Sequence, residues 1–248
     1  VGAGQVDVVP PPRPYAAAAL LEATLSDGAS RRRVTNRWAV WLFPPPAMPA
    51  GLGLYGPPLR TWAARWTGLP TVAAGTVPAG TRVLLAETID PTLAGFARAG
   101  GCVLLAAGEG LVRPHPALFG YVRYFFTPPA NYAPYEDGQS GTIVADHAAL
   151  AGFPHEGFAD WQFFRMVDGA PPVDLEPLGL AGDGPDGAGP VAAPEPVIRA
   201  IHRYPVMRPL AYLVERRLAA GGLIVCALEL RPEWPAACGL LAGLRRCR

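Results

Sequence analysis

Four histidines, four cysteines and twenty acidic residues are the groups through which this chain could do chemistry, and their spacing decides which reactions are open to it. His115, His147, His155 and His202 show neither H-x-x-x-H nor H-E-x-x-H, the patterns that put two imidazoles on one helical face for zinc. Cys102, Cys226, Cys238 and Cys247 contain no C-x-x-C pair, and Cys102 and Cys226 fall in apolar runs where a thiol behaves as a small hydrophobe. No metal and no cofactor is therefore expected. A nucleophile elbow needs Ser or Cys on the turn after a buried strand. The turn after residues 102–107 is Gly108-Glu109-Gly110, with a carboxylate where the nucleophile belongs, so it reads as a degenerate nucleophile turn. Gly138-Gln139-Ser140-Gly141-Thr142 lacks the last glycine of G-x-S-x-G. Gly51-Leu52-Gly53-Leu54-Tyr55-Gly56 spells G-x-G-x-x-G, but it follows a proline run where a dinucleotide site needs a strand to deliver the glycines. Glycoside hydrolysis needs two carboxyls about 5 to 10 Å apart, and no spacing singles out a pair. The densest polar and aromatic cluster is 152–164 (GFPHEGFADWQFF). There His155, Glu156, Asp160 and Trp161 could bind a sugar, an aromatic face stacking on C–H groups while carboxylates accept hydroxyl protons. The competing reading makes the aromatics core and the polar residues turn caps.

Composition narrows the partners. The 248 residues carry a formal net charge of +1 and only 17% charged side chains, so no long-range field gathers nucleic acid or an anionic membrane. All 21 basic residues are Arg, which removes every lysine-based mechanism, Schiff base and phosphate-loop lysine included. Apolar runs such as 222–228 (GLIVCAL) are strand-sized, far short of the roughly 18 residues that span a bilayer. Targeting signals give no compartment.

These groups must be held by the elements around them. Residues 16–26 and 31–43 read as two long antiparallel strands about Asp27-Gly28, with Val34, Asn36, Trp38, Val40 and Leu42 on one face of the second and Thr35, Arg37, Ala39, Trp41 and Phe43 on the other. Two strands alone cannot hold a sheet in water, so the pair is expected to be a sandwich remnant and the chain a piece of a larger protein. Residues 1–46 form a Pro-rich lead-in and this remnant, 47–57 a linker, and 58–248 an α/β domain. Within that domain 58–66 suits a short helix. Residues 82–86, a helix from Asp90-Pro91 to about Ala99, the Gly100-Gly101 stop and 102–107 make a βαβ unit, hence a parallel sheet. Residues 143–146 add a strand, 127–142 a surface loop and 179–196 a flexible insertion. Strands follow at 197–203, 211–218 and 222–230, the last two a hairpin across Ala219-Ala220-Gly221, and 235–246 form a closing helix with Arg245 and Arg246 in its last turn.

Three collinear segments carry a resemblance. His147-Ala148-Ala149-Leu150-Ala151-Gly152-Phe153-Pro154, continuing through Asp160-Trp161-Gln162, resembles the "HPALxGFP … WQ" stretch of C-terminal regions in family-two glycoside hydrolases, the β-galactosidase-like enzymes. Tyr212-Leu213-Val214-Glu215-Arg216 through Leu228-Glu229-Leu230 is similar to their "LFExRVGKGKLLVxSxDL" segment, with Ala219-Ala220 departing where the family shows Val/Gly-Lys. Val34 to Pro44 is similar to their "NxWxxWxxP" sandwich ending. The resemblance implies a flavodoxin-like, class I glutamine-amidotransferase-like domain that has lost its nucleophile. It also implies a noncatalytic accessory, scaffolding or oligomerising role beside a catalytic barrel, whose glutamates have no counterpart here. The partners so implied are the remaining domains of a glycoside hydrolase, an oligosaccharide, or a second copy. The alternatives are a carbohydrate-binding module acting alone and an amidotransferase-like enzyme using Cys102 or Cys226.

Overall fold

The computed structural model describes residues 7–28, 32–108, 111–112, 139–176, 194–202 and 208–244. Two ten-residue strands, β1 (Ala17–Ser26) and β2 (Arg33–Leu42), pair with each other from Ala17↔Leu42 to Ser26↔Arg33 and form a two-stranded sheet. Arg37 donates from Nε to Glu22 at 2.7 Å on its surface. Most of both strands is exposed; Ala17, Ala19 and Leu21 of β1 and the last four residues of β2 are half-covered.

The rest is one nine-stranded mixed sheet. Along it run β4 (Thr71–Val72), β3 (Leu52–Tyr55), β5 (Val83–Ala86), β6 (Cys102–Ala106), β11 (Gly221–Cys226), β10 (Pro209–Leu218), β9 (Glu195–His202) and β7 (Gln139–Val144), with β8 (Val173–Asp174) pairing to β10. The first five are mutually parallel, and from β11 outward every pairing is antiparallel. The expected α/β class holds as a mixed sheet, rich in strands and poor in helices. The parallel sheet expected from the βαβ unit makes up only this half, because β10, β9 and β7 each run antiparallel to the strands they pair with.

The βαβ unit forms as its local signals require. Asp90 caps α1 (Pro91–Arg98), its Oδ1 accepting from the Leu93 N–H at 2.8 Å, and Gly100 leaves the helix at φ +105°. The Asp90 carboxyl sits below its usual range because it accepts from the Leu93 amide and then from the Tyr55 hydroxyl. That hydroxyl, 2.7 Å from Asp90 Oδ2, also accepts from the Gly75 N–H at 2.6 Å, tying β3 to the helix start. Buried strands face two cores. Val83, Leu85, Cys102 and Leu104 look toward α3 (Pro235–Leu244), while Leu84, Ala86 and Val103 pack with Leu93 and Ala97 of α1. Coverage on both faces explains why these strands read as unbroken apolar runs.

The linker expectation needs correction at 52–55. These four residues are all buried and lie between β4 and β5. Gly51 and Gly56, at φ +76° and +66°, turn the chain into and out of the strand, so glycines that look like linker residues bound a strand too short to show alternation. The G-x-G-x-x-G string thus spans the strand itself and offers no helix N-terminus to a phosphate. Residues 58–66 likewise form only a 3₁₀ turn, Trp62–Arg65, whose neighbour Trp66 is fully buried and donates from Nε1 to the Leu230 carbonyl at 3.2 Å. Of the loop at 127–142, 139–142 belong to β7 and the rest lies outside the described residues, as do 179–193 of the insertion.

The β10–β11 hairpin turns through Ala219 and Ala220, with Leu218 opposite Gly221. Ala219 sits at φ +52°, left-handed space where a Cβ is unfavourable. Ala219→Gly is expected to stabilise the protein by about 0.5–1 kcal/mol, read as a higher urea midpoint at unchanged m. An unchanged or lower midpoint would remove the strain argument.

Candidate functional site

The stretch from β7 to the end of α2 (Phe164–Val167) gathers most of the groups that could bind or react. His147 caps the 3₁₀ turn Ala148–Leu150, Nδ1 accepting from the Ala149 N–H at 3.1 Å. Phe153 then packs at 5.2 Å from Phe43, just past β2, and 4.8 Å from the fully buried Phe163. The hairpin is thereby anchored to the sheet core at its base.

The four residues grouped as a sugar site are split. His155, its Nδ1 accepting from the Gly157 N–H at 3.2 Å, borders a shallow depression of about 510 Å³ with Asp146, His147 and Phe153. Burial pulls the His155 pKa down, and the Asp146 charge works against that shift. Trp161 borders a different cleft. Glu156 is exposed, and Asp160 is half-buried, its carbonyl accepting from the Phe163 N–H at 2.9 Å. The turn-cap reading holds for His155, through its ring nitrogen, and Phe153 is core, but Phe158 and Trp161 are 45% and 73% exposed.

The cleft beside Trp161 encloses about 620 Å³ between β2 and the α2 region, walled by Trp41, Phe43, Trp161, Gln162, Arg165 and Trp234. Gln162 is 5% exposed, and neither its Oε1 nor its Nε2 has a hydrogen-bond partner among the described residues; the same holds for Trp41 Nε1. A buried amide left unpaired costs roughly 1–3 kcal/mol, so its retention is a feature to be explained. The guanidinium of Arg231 lies 4.9 Å from the Trp234 ring centre and that of Arg165 6.0 Å, which leaves Trp161 as the ring with the most open face.

A second cluster has no local trace in the sequence. His147, Glu195 on β9 and Glu215 on β10 bring one ligand atom each within 4.8 Å of one another. Glu195 and Glu215 are direct cross-strand partners, and His147 Nε2 lies 2.8 Å from Glu215 Oε2 and 3.9 Å from Glu195 Oε2. Since Nδ1 accepts an N–H, the neutral ring carries its proton on Nε2, facing the carboxylates. A metal would have to displace that proton, so the donor set suits proton sharing better than coordination. Glu215 is 2% exposed, out of reach of a glycosidic oxygen.

The candidate nucleophiles are closed off. Cys226 is fully buried and its thiol is pushed up to about 12 by desolvation, and Cys102 is buried with Sγ 3.9 Å from the Leu244 carbonyl. Of the degenerate nucleophile turn, Gly108 follows β6, whereas Glu109 and Gly110 lie outside the described residues. Ser140 lies within β7 and not on a turn. No helix among the described residues is long and apolar enough to cross a membrane.

A family model described as a domain of unknown function (DUF8487) matches residues 84–246. No curated protein matches the sequence. Among solved structures, a β-galactosidase from Bacillus circulans sp. alkalophilus is similar at 10% identity and TM-score 0.42, and one from Rahnella sp. R3 at 9% and 0.36. Each match covers 79% of this chain and 30% of the other, so the chain spans less than a third of either enzyme's length.

Proposed function

From the premise that this chain belongs to the DUF8487 family of domains of unknown function, we propose that it is a noncatalytic accessory region of a glycoside-hydrolase-related protein, docking beside other folded units. The observation that carries this reading is the β1–β2 sheet. Among the described residues its strands pair only with each other, and they expose Leu20, Leu25, Val34 and Trp38 at 63, 75, 59 and 47%. Two strands with apolar residues in water need further cover, which a sandwich completed by a neighbouring domain supplies. The glycoside part rests on the three collinear segments at 34–44, 147–162 and 212–230. We relate the parallel half of the sheet to the flavodoxin-like, amidotransferase-like layout, with the turn after β6 as its former nucleophile position. An enzyme working through Cys226 or Cys102 is disfavoured by the burial of both thiols.

Two measurements test this reading together. The protein is expected to release no nitrophenol from aryl β-glycosides above the uncatalysed rate, and to enhance the fluorescence of an apolar dye in a manner reduced by Trp38→Ser. Turnover abolished by one carboxylate substitution would overturn the noncatalytic role, and dye binding untouched by Trp38→Ser would overturn the docking face.

A further inference from the structure

We infer that the cleft between β2 and the Trp161–Phe164 segment is a binding subsite for a single pyranose ring, with Trp161 as stacking platform and the Gln162 amide as the group that reads ring hydroxyls. Three observations converge on it. The cleft, at about 620 Å³, lies within the size range of small-ligand sites. Its most open aromatic face belongs to Trp161, 73% exposed and held 5.8 Å from Phe164 at a 56° tilt, so the ring is propped rather than loose. Its wall holds two donor groups and an acceptor that nothing among the described residues satisfies, Gln162 Nε2 and Oε1 and Trp41 Nε1.

A purely apolar guest would cover the rings and leave those groups unpaired. A cationic guest would face Arg165, and an anionic one would pair with Arg165 but, having no proton to donate, would leave Gln162 Oε1 unmatched. A pyranose supplies both requirements, a C–H face for Trp161 and hydroxyls that donate and accept at once, as an amide requires. Both amide atoms are closed to solvent, so reading a guest's hydroxyls requires the Gln162 side chain to change rotamer on binding. This subsite is distinct from the depression bordered by His155. The choice of a sugar among flat-faced polar rings rests on the glycoside-related reading above; the polar complement of the wall does not.

The test is a titration of the whole chain, followed by tryptophan fluorescence and calorimetry, with methyl β-galactopyranoside, methyl β-glucopyranoside and a β-linked trisaccharide, and with cyclohexanol as a ring lacking the hydroxyl pattern. At least one glycoside is expected to bind saturably, at least about tenfold more weakly to Trp161→Ala and about tenfold more weakly to Gln162→Leu. Trp161 is exposed, so its alanine variant should keep the parent melting curve, which separates lost binding from lost fold. Absence of saturable binding by any glycoside, equal affinity for cyclohexanol, or an unchanged affinity in Trp161→Ala would each overturn the subsite. The aryl-glycoside and Trp38 measurements above address the accessory reading alone. Sugar binding can therefore fail while that reading stands, and the reverse.

Discussion

Gly221→Ala is expected to abolish the cooperative fold or to weaken it by more than about 4 kcal/mol, the range reserved for steric conflict in a packed core. A Cβ on Gly221 would run into the carbonyl oxygens of Gly101 and Ala97 and come within 2.8 Å of Gly100 C. All three are backbone atoms, so no side chain can swing aside. Here the hairpin end crosses the end of α1 and the start of β6, and Gly222 donates to the Gly101 carbonyl at 3.1 Å. Displacing the hairpin would break the parallel β6–β11 pairing, which runs from Gly222↔Cys102 to Cys226↔Ala106 and joins the two halves of the sheet. A urea melt of Gly221→Ala that overlays the parent would show that the close approach is not real.

His147→Ala carries the second large effect, about 2–4 kcal/mol, the range for removing a buried donor from a carboxylate together with a turn cap. The ring caps the 3₁₀ turn through Nδ1, and its Nε2 stands 2.8 Å from the buried Glu215 carboxylate. Without it, Glu215 faces its cross-strand partner Glu195 with the intervening proton gone, and like charges directly opposite on paired strands repel. Adding Glu215→Gln to His147→Ala should therefore recover part of the loss, because the second change removes the charge the first exposed. Chemical denaturation of the four proteins in the cycle measures this coupling. Losses that simply add would mean the imidazole acts on packing and capping alone.

The contrast between these two residues and the βαβ unit shows which features local sequence reveals. Asp90-Pro91 and Gly100-Gly101 act on backbone groups a few residues away, so the cap, the helix and its stop are legible from the chain alone. The β10–β11 hairpin is legible for the same reason. β3 was hidden because its bounding glycines and the nearby prolines carry breaker signals, whereas its burial depends on β4 and β5 arriving later in the chain. The sugar-site grouping of His155, Glu156, Asp160 and Trp161 assumed that neighbours in sequence share a surface. A turn capped by His147 and the core position of Phe153 and Phe163 instead put His155 and Trp161 on two separate depressions, and Glu156 and Asp160 border neither.

By itself the sequence determined the charge balance, the absence of lysine chemistry, the α/β class and the strand–helix–strand unit, because each depends on composition or on contacts spanning a few residues. Only the tertiary structure decided that Trp41, Gln162 and Trp234 wall one cleft and that His147, Glu195 and Glu215 converge. These groups are brought together by strand register and by the docking of β2 on the core. Register and docking are set by how many distant apolar side chains pack at once, a sum that no short window of residues contains.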